Sequence, residues 1–571
     1  MSFWQWMKYR PTPSSQPKKG NRPQQIIPDR YMEQHSEELL TGSLDEARHF
    51  IQTVLGDNDD LITREFVIFG QFKAVLIYFI NMIDQEVTNN DILKPLMIAP
   101  PHYVAGTIEL QQLKHVLLYE TLYHSMSKME NKLAAIVDVI LRGQPVIVVE
   151  GLDEAIIVGA AKIDKRAIDQ PLTEQVIRGP REGFIEQLGT NITLLRYRLP
   201  TSDFTVRSKK VGRVTKSRVA ICYLKGIAND ALVQEVESRI AAIDIDGVLD
   251  VGYLEQFIED NHLSPFPQIQ NTERPDKAVA NLLEGRVIIL VDGSPFALIA
   301  PSVFTQFYQT TEDYSERFLM VSFIRLARLL ALVFSLVTPS LYVAVISFNP
   351  ELIPTKFAVA VAGGRAGVPF PSVVEVLLME MSMEVLREAT LRLPQQVGGA
   401  LSIVGVLVIG QAAVAAGFVS PITVVVIALT TIGSFATPAY NAALALRLLR
   451  FPLVFFAGMF GLFGVMVGLI LIVNHVLSLK SFGVPYMSPV VPGNYEGMKD
   501  TVIRGPLWWM RRRPAMFHTP NRERIDEGVV DTLKQTPHNT LDPLKVGNAR
   551  WEQPDGISKA SDNDSSGSNS H

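Results

Sequence analysis

Long apolar runs crowd the second half of the chain. Leu326–Phe348, Ala400–Val419, Ile422–Ala436 and Leu453–Val476 are each apolar enough to sit in lipid. All but the third approach the roughly 20 residues that a helix needs to cross a bilayer. The third reaches that length only if Pro438 lies inside it. Between the first two runs, Pro371–Leu393 carries Glu375, Glu380, Glu384, Arg387, Glu388 and Arg392. Such a segment cannot face hydrocarbon; it lies at the interface, inside protein or along water.

The first half alternates shorter elements. Phe66–Phe69 reads as a strand, and Ala74–Met82 and Leu117–Val137 carry apolar residues at helical period. Pro145–Val149 and Ala155–Val158 flank Glu150-Gly151, an acidic-glycine turn between apolar runs, which predicts a hairpin. The pattern recurs without a gap: Gly143 aligns with Gly285, Val149 with Val291, Gly151 with Gly293 and Ala155 with Ala297. A strand followed by a helix precedes each copy, at Phe66–Phe69 with Ala74–Met82 and at Val219–Leu224 with Asp230–Ile243. We read a duplicated α/β unit. The expected fold is a soluble α/β N-terminal domain of two similar halves, followed by an all-α transmembrane bundle of four to five helices. The expected boundaries are a disordered basic leader (1–36), half 1 with an arginine-rich connector (37–200), half 2 (201–316), a membrane domain (317–492) and a polar, largely disordered tail (493–571).

Composition narrows the function. The net charge of −5 over 571 residues argues against a nucleic-acid binder. A single cysteine, Cys222, leaves no disulfide framework and no cysteine-based zinc site. Met1–Arg30 has no apolar core of a signal peptide, so none is expected. Arg317, Arg325 and Arg328 before the first run mark a cytoplasmic end. Trp508, Trp509 and Arg511–Arg513 after the last mark another. Two cytoplasmic ends require an even number of crossings, and four fits; Arg447 and Arg450 argue for five.

Candidate chemistry is electrostatic. Glu380, Glu384 and Glu388 share one helical stripe, with Arg387 and Arg392 spaced to pair along it. They form either a solvated amphipathic helix or, in several copies about an axis, an acidic ring that attracts cations. Thr423, Thr430, Ser434, Thr437 and Asn441 share another face, either helix-packing glue or the wall of a wet path. Gly464 and Gly468, at G-x-x-x-G spacing, predict close helix packing. In the connector, Arg166, Arg178, Arg181, Glu182 and Arg196 suggest a salt-bridge platform between subunits, with an anion cradle as the rival. No catalytic, nucleotide or metal motif occurs; neither an enzyme nor a cofactor is expected.

Several motifs stand together in one order. They are Arg166-Ala-Ile-Asp-Gln-Pro through Arg178-Gly-Pro-Arg-Glu-Gly-Phe, Pro369-Phe370-Pro371 through Glu375 and Glu384, Arg392-Leu-Pro, Ser402-Ile-Val-Gly and Gly410-Gln411-Ala412-Ala413. With them the chain resembles, over roughly Glu37–Pro492, the A subunit of GerA-type bacterial spore germinant receptors. The resemblance implies an inner-membrane protein of the endospore with its N-terminal domain facing the core. It implies a transporter-like B subunit that binds the nutrient and a lipoprotein C subunit. It also implies assembly into a ring, expected to be pentameric, that forms a nutrient-gated cation channel. A non-conducting signalling scaffold and a secondary transporter are the alternatives.

Overall fold

The computed structural model describes residues 27–98, 108–122, 126–162, 170–391, 408–526 and 528. Two five-stranded sheets build the first half of the chain. Their strand orders are β1-β2-β4-β5-β3 and β6-β7-β9-β10-β8, the same order twice. The first sheet comprises β1 (Leu61–Ile68), β2 (Phe72–Phe79), β3 (Ser127–Glu130), β4 (Val146–Val149) and β5 (Ala155–Val158). The second comprises β6 (Phe204–Val211), β7 (Ser217–Leu224), β8 (Gln270–Thr272), β9 (Val287–Val291) and β10 (Ala297–Ala300). The aligned glycines fall at equivalent turns, Gly143 and Gly285 at φ 83° and 95°, Gly151 and Gly293 at φ 89° and 92°. A side chain is disfavoured at such φ values, so both copies keep glycine there.

Each sheet is buried on both faces. Along β2, Val75, Ile77 and Phe79 face one core with α1 (Leu44–Leu55) and α2 (Leu133–Leu141), while Ala74 and Leu76 face another. A strand covered on both sides shows no polar alternation, and its continuous apolar run mimics a helix. That is why Ala74–Met82, expected as a helix, holds most of β2. Leu117–Val137 is likewise not one helix: a π-helical turn at Val116–Thr121 precedes β3 and α2.

A buried arginine fastens the two halves together. Arg196, on α3 (Leu188–Arg198), donates from Nε to Asp60 (2.8 Å) and from Nη2 to Asp60 (2.6 Å) and Asn58 (2.7 Å). Its guanidinium lies 3.9 Å from the Phe79 ring centroid. The residue is buried within this chain, where it serves the contact between the two halves. Half 2 adds α4 (Asp230–Ala241), α5 (Val251–Ile258) and α6 (Pro275–Leu283).

The helical part begins with α7 (Phe318–Phe348) and continues through α8 (Thr355–Arg365), α9 (Ser372–Leu391), a helix over 408–415, α10 (Pro421–Ser434) and α11 (Tyr440–Ser478). α7 and α11 are long and apolar enough to cross a membrane. α11 is two limbs. Gly461, at φ 62° and ψ −141°, breaks it, and Gly468 lies against Leu453 and Phe456. In a straight helix residues 453 and 468 would stand roughly 22 Å apart; here the chain turns back on itself. Leu453–Val476, expected as one run, therefore contains a reversal, and Gly464 and Gly468 pack within this hairpin.

Both ends of the helical part meet half 2. The Ala439 amide donates to the Phe307 carbonyl (3.2 Å), Ser264 Oγ and His475 Nε2 are 2.9 Å apart, and Tyr486 is buried with Phe304 and Phe307. The opposite end is marked by Ser347 and Ser372 (Oγ–Oγ 2.6 Å) and by the close approach of Gly461 to Phe348. The segment after α11 folds back onto half 2. Ser481 Oγ donates to the Gln268 carbonyl (2.6 Å), Arg513 Nε donates to the Leu283 carbonyl (2.7 Å), and Phe517 is buried under the Arg286 guanidinium. The tail is thus folded as far as Arg524, beyond the start expected for a disordered one.

Candidate functional site

α9 places a ladder of charge in the helical part. Its Leu, Met and Glu residues, unbranched at Cβ, favour helix, and Glu375, Glu380, Glu384 and Arg387 fall on the side turned into the bundle. Glu375 is fully buried. Its Oε1 accepts from Arg365 Nε (3.2 Å) and Nη2 (3.0 Å), and its Oε2 from the Ser420 amide (2.9 Å) and Thr423 Oγ1 (3.0 Å). Glu380, 3% exposed, accepts from Arg450 Nη1 at 3.0 and 3.2 Å. Glu384 accepts from Arg387 Nη1 (2.7 Å) and lies 3.5 Å from Arg447 Nε. Buried charge persists where it is paired and hydrogen-bonded, and these pairs tie α9 to α8, α10 and the first limb of α11.

The pairing fixes the roll of α9. With its charges turned inward, the helix presents Leu378, Met381 and Val385 outward, and exposed Glu388 continues the stripe. Glu380 and Glu384 are thus brought together with Arg450 and Arg447, while Glu388 stands on the exposed side of the helix. Of the hydroxyl face, Thr423 joins the Glu375 cluster and lies 3.0 Å from Tyr342 Oη. Thr430 Oγ1 donates to the Val426 carbonyl (2.7 Å) and Ser434 Oγ to that of Thr431 (2.7 Å). Thr437 is buried and Asn441 half-buried.

A second buried cluster joins the two parts of the molecule. Arg325, on α7, donates from Nε to Asp313 Oδ2 (2.8 Å) and from Nη1 to Asp500 Oδ1 (2.7 Å). Arg328 Nη1 donates to the Tyr308 carbonyl (2.5 Å), and Tyr314 Oη donates to Asp500 Oδ2 (2.7 Å). Burial alone would raise the Asp313 carboxyl, but Arg325 and Arg328 outweigh it and hold the group below its ordinary value. Three segments meet here: the exit from half 2, the first helix and the returning tail. Sequence reasoning missed Asp313 and Asp500, because neither sits in a motif and Asp500 follows its partner by 175 residues.

The connector residues lie apart. Arg178 is exposed and reaches Glu316 (3.5 Å), Glu182 accepts from Arg198 (2.6 Å), and Arg181 is exposed. Arg166 lies outside the described residues. Among the described residues no group of His, Cys, Asp and Glu is arranged to hold a metal ion.

A duplicated α/β domain, joined through buried ion pairs to a bundle with two helices long and apolar enough to span a bilayer, points to a membrane-associated class of protein. The chain belongs to the Bacillus/Clostridium GerA spore germination protein family, whose model matches residues 49–516. It is 42% identical to spore germination protein KA of Bacillus subtilis over 82% of this chain and 86% of that one. Spore germination protein GerLA of Bacillus cereus is 37% identical over 84% and 96%. Among solved structures, the N-terminal domain of the A subunit of the Bacillus megaterium spore germinant receptor GerK3 is 32% identical. That match covers 47% of this chain and 98% of that domain, with a TM-score of 0.38.

Proposed function

We propose that this chain is the A subunit of a spore germinant receptor and that several copies enclose a cation path lined by the outward face of α9. The observation that carries the reading is the fixed roll of that helix. Glu375, Glu380 and Glu384 are paired within the chain, which leaves Leu378, Met381 and Val385 as the exposed stripe that can face an axis. Apolar rings gate by dewetting and an acidic ring at a mouth attracts cations. In this reading Glu380 and Glu384 orient the lining helix, Glu388 faces the path, and Thr423, Thr430, Ser434, Thr437 and Asn441 pack helices. Arg178 and Arg181 remain candidates for a contact between subunits.

Four crossings put both ends of the helical part on the cytoplasmic side, beside the arginines that flank it. The receptor sits in the inner membrane of the endospore with its soluble domain toward the core. A transporter-like B subunit binds the nutrient, and a lipoprotein C subunit completes the complex. The second reading is a non-conducting scaffold, favoured by the absence of an unpaired acid on the inward side of α9 among the described residues. Reconstitution of the full complex with a cation-flux dye decides between them. Nutrient-dependent flux in ring-sized particles supports the channel; small particles without flux support the scaffold.

A further inference from the structure

The segment that returns from α11 carries a second apolar surface, placed beside the start of α7. The Arg504 amide donates to Ser322 Oγ (3.2 Å), whose hydroxyl donates to the Phe318 carbonyl (2.7 Å) and lies 3.1 Å from the Arg504 carbonyl. The Trp508 ring stands 6.4 Å from that of Phe318. This register sets Ile503 level with the second turn of α7 and Trp508 level with its first residue. Ile503, Trp508 and Trp509 are nevertheless turned outward, the two tryptophans at 43% and 58% exposure. Leu319 and Phe323 on α7 are exposed as well.

Charge follows the same edge. Residues 495–513 hold Lys499, Arg504, Arg511, Arg512 and Arg513 against Glu496 and Asp500. Asp500 is committed to Arg325, and Arg513 to the Leu283 and Asn521 carbonyls. The Arg512 side chain is 63% exposed and meets Glu496, itself 53% exposed, at 3.4 Å. A pair so open to water is worth little. Tryptophans at the headgroup level with arginines alongside are what a bilayer surface selects.

We propose that residues 503–512 and the first two turns of α7 form one shelf lying in the headgroup region of the leaflet next to half 2. Arg512 faces anionic lipid headgroups. The occupant is lipid because the shelf continues the exposed flank of a helix long enough to span a bilayer, and because its charge complements an anionic surface. Asp500 lies three residues before Ile503, so the shelf also ties the lipid surface to the Arg325 cluster. The proposal rests on the helical part lying in a bilayer and not on conduction, so its failure is separable from failure of the channel reading.

The test uses the full chain in nanodiscs with Trp4, Trp6 and Trp551 replaced by Phe, so that Trp508 and Trp509 report alone. Their emission is expected to be blue-shifted and quenched by phosphatidylcholine brominated on its acyl chains. Quenching is expected to deepen as phosphatidylglycerol is added, and Arg512→Gln is expected to abolish that added part. A Phe323→Trp variant lacking the other tryptophans shows that the helix is inserted. Quenching at position 323 with water-like, unquenched emission from Trp508 and Trp509 overturns the proposal. So does shielding that arises only when further copies or partner subunits are added. Quenching indifferent to phosphatidylglycerol and to the arginine replacement overturns the anionic part.

Discussion

Arg450 and Glu380 decide whether the acids of α9 belong to the protomer interior or to water. Their side chains are 2% and 4% exposed and lie 3.0 Å apart. Replacing Arg450 by Met leaves a buried carboxylate without its counter-charge, a change that costs about 3–5 kcal/mol. If the helical part melts as its own unit, that corresponds to a fall on the order of 10 °C. Glu380→Leu/Arg450→Met removes both charges and restores most of the loss, since replacing a buried pair by apolar groups is neutral or stabilising by about 1–4 kcal/mol. If Glu380 instead faced a water-filled path, Arg450→Met would cost no more than the ~0–1 kcal/mol of an exposed pair, and the double variant would recover nothing. Single and double variants melting within about 1 kcal/mol of the parent would refute the reasoning.

Three further outcomes are expected. Arg196→Met strands Asp60 between the halves and lowers stability by about 3–5 kcal/mol, with faster hydrogen exchange at residues 58–60 and 204–206. Burial first, then the nearby Glu259 and Asp250 carboxylates, push Glu255 up to about 8. An acid raised on folding contributes stability below its ordinary value near 4.5 and loses it as pH rises through 8. Glu255→Gln should therefore melt increasingly above the parent across that window, and parallel melting curves would contradict the assignment. Gly461→Ala forces a side chain into φ 62°, ψ −141° with its Cβ 2.9 Å from Phe348 Cγ. The strain alone costs roughly 1–3 kcal/mol, and the variant is expected to give less intact protein and a lower melting temperature.

The duplication is legible in the sequence because turns requiring positive φ hold glycine at the same offset in both copies. β2 is not, since a strand covered on both faces lacks the alternation that distinguishes strand from helix. Glu380 and Glu384 can be placed on one stripe from spacing alone. Their partners Arg450 and Arg447 lie more than 60 residues on, and no local pattern pairs groups across that distance. By charge alone Arg447 and Arg450 suggest a fifth crossing; they serve instead as counter-charges. The reversal at Gly461 is hidden because its glycines sit among large apolar residues at ordinary helical spacing. Asp500 escapes notice because a polar, proline-punctuated tail reads as unstructured until the surface it packs against is known.

The proposed channel turns on which face of α9 would line it, and cysteine accessibility answers that directly. The native Cys222 is buried, with its thiol pushed up to about 12 by burial, so it stays unreactive toward polar thiol reagents. In the nutrient-activated receptor carrying Val385→Cys, a charged methanethiosulfonate reagent is predicted to block cation flux, while the same reagent leaves Glu380→Cys unmodified. Flux unchanged after modification at 385, or block through position 380, would contradict the assignment of the two faces.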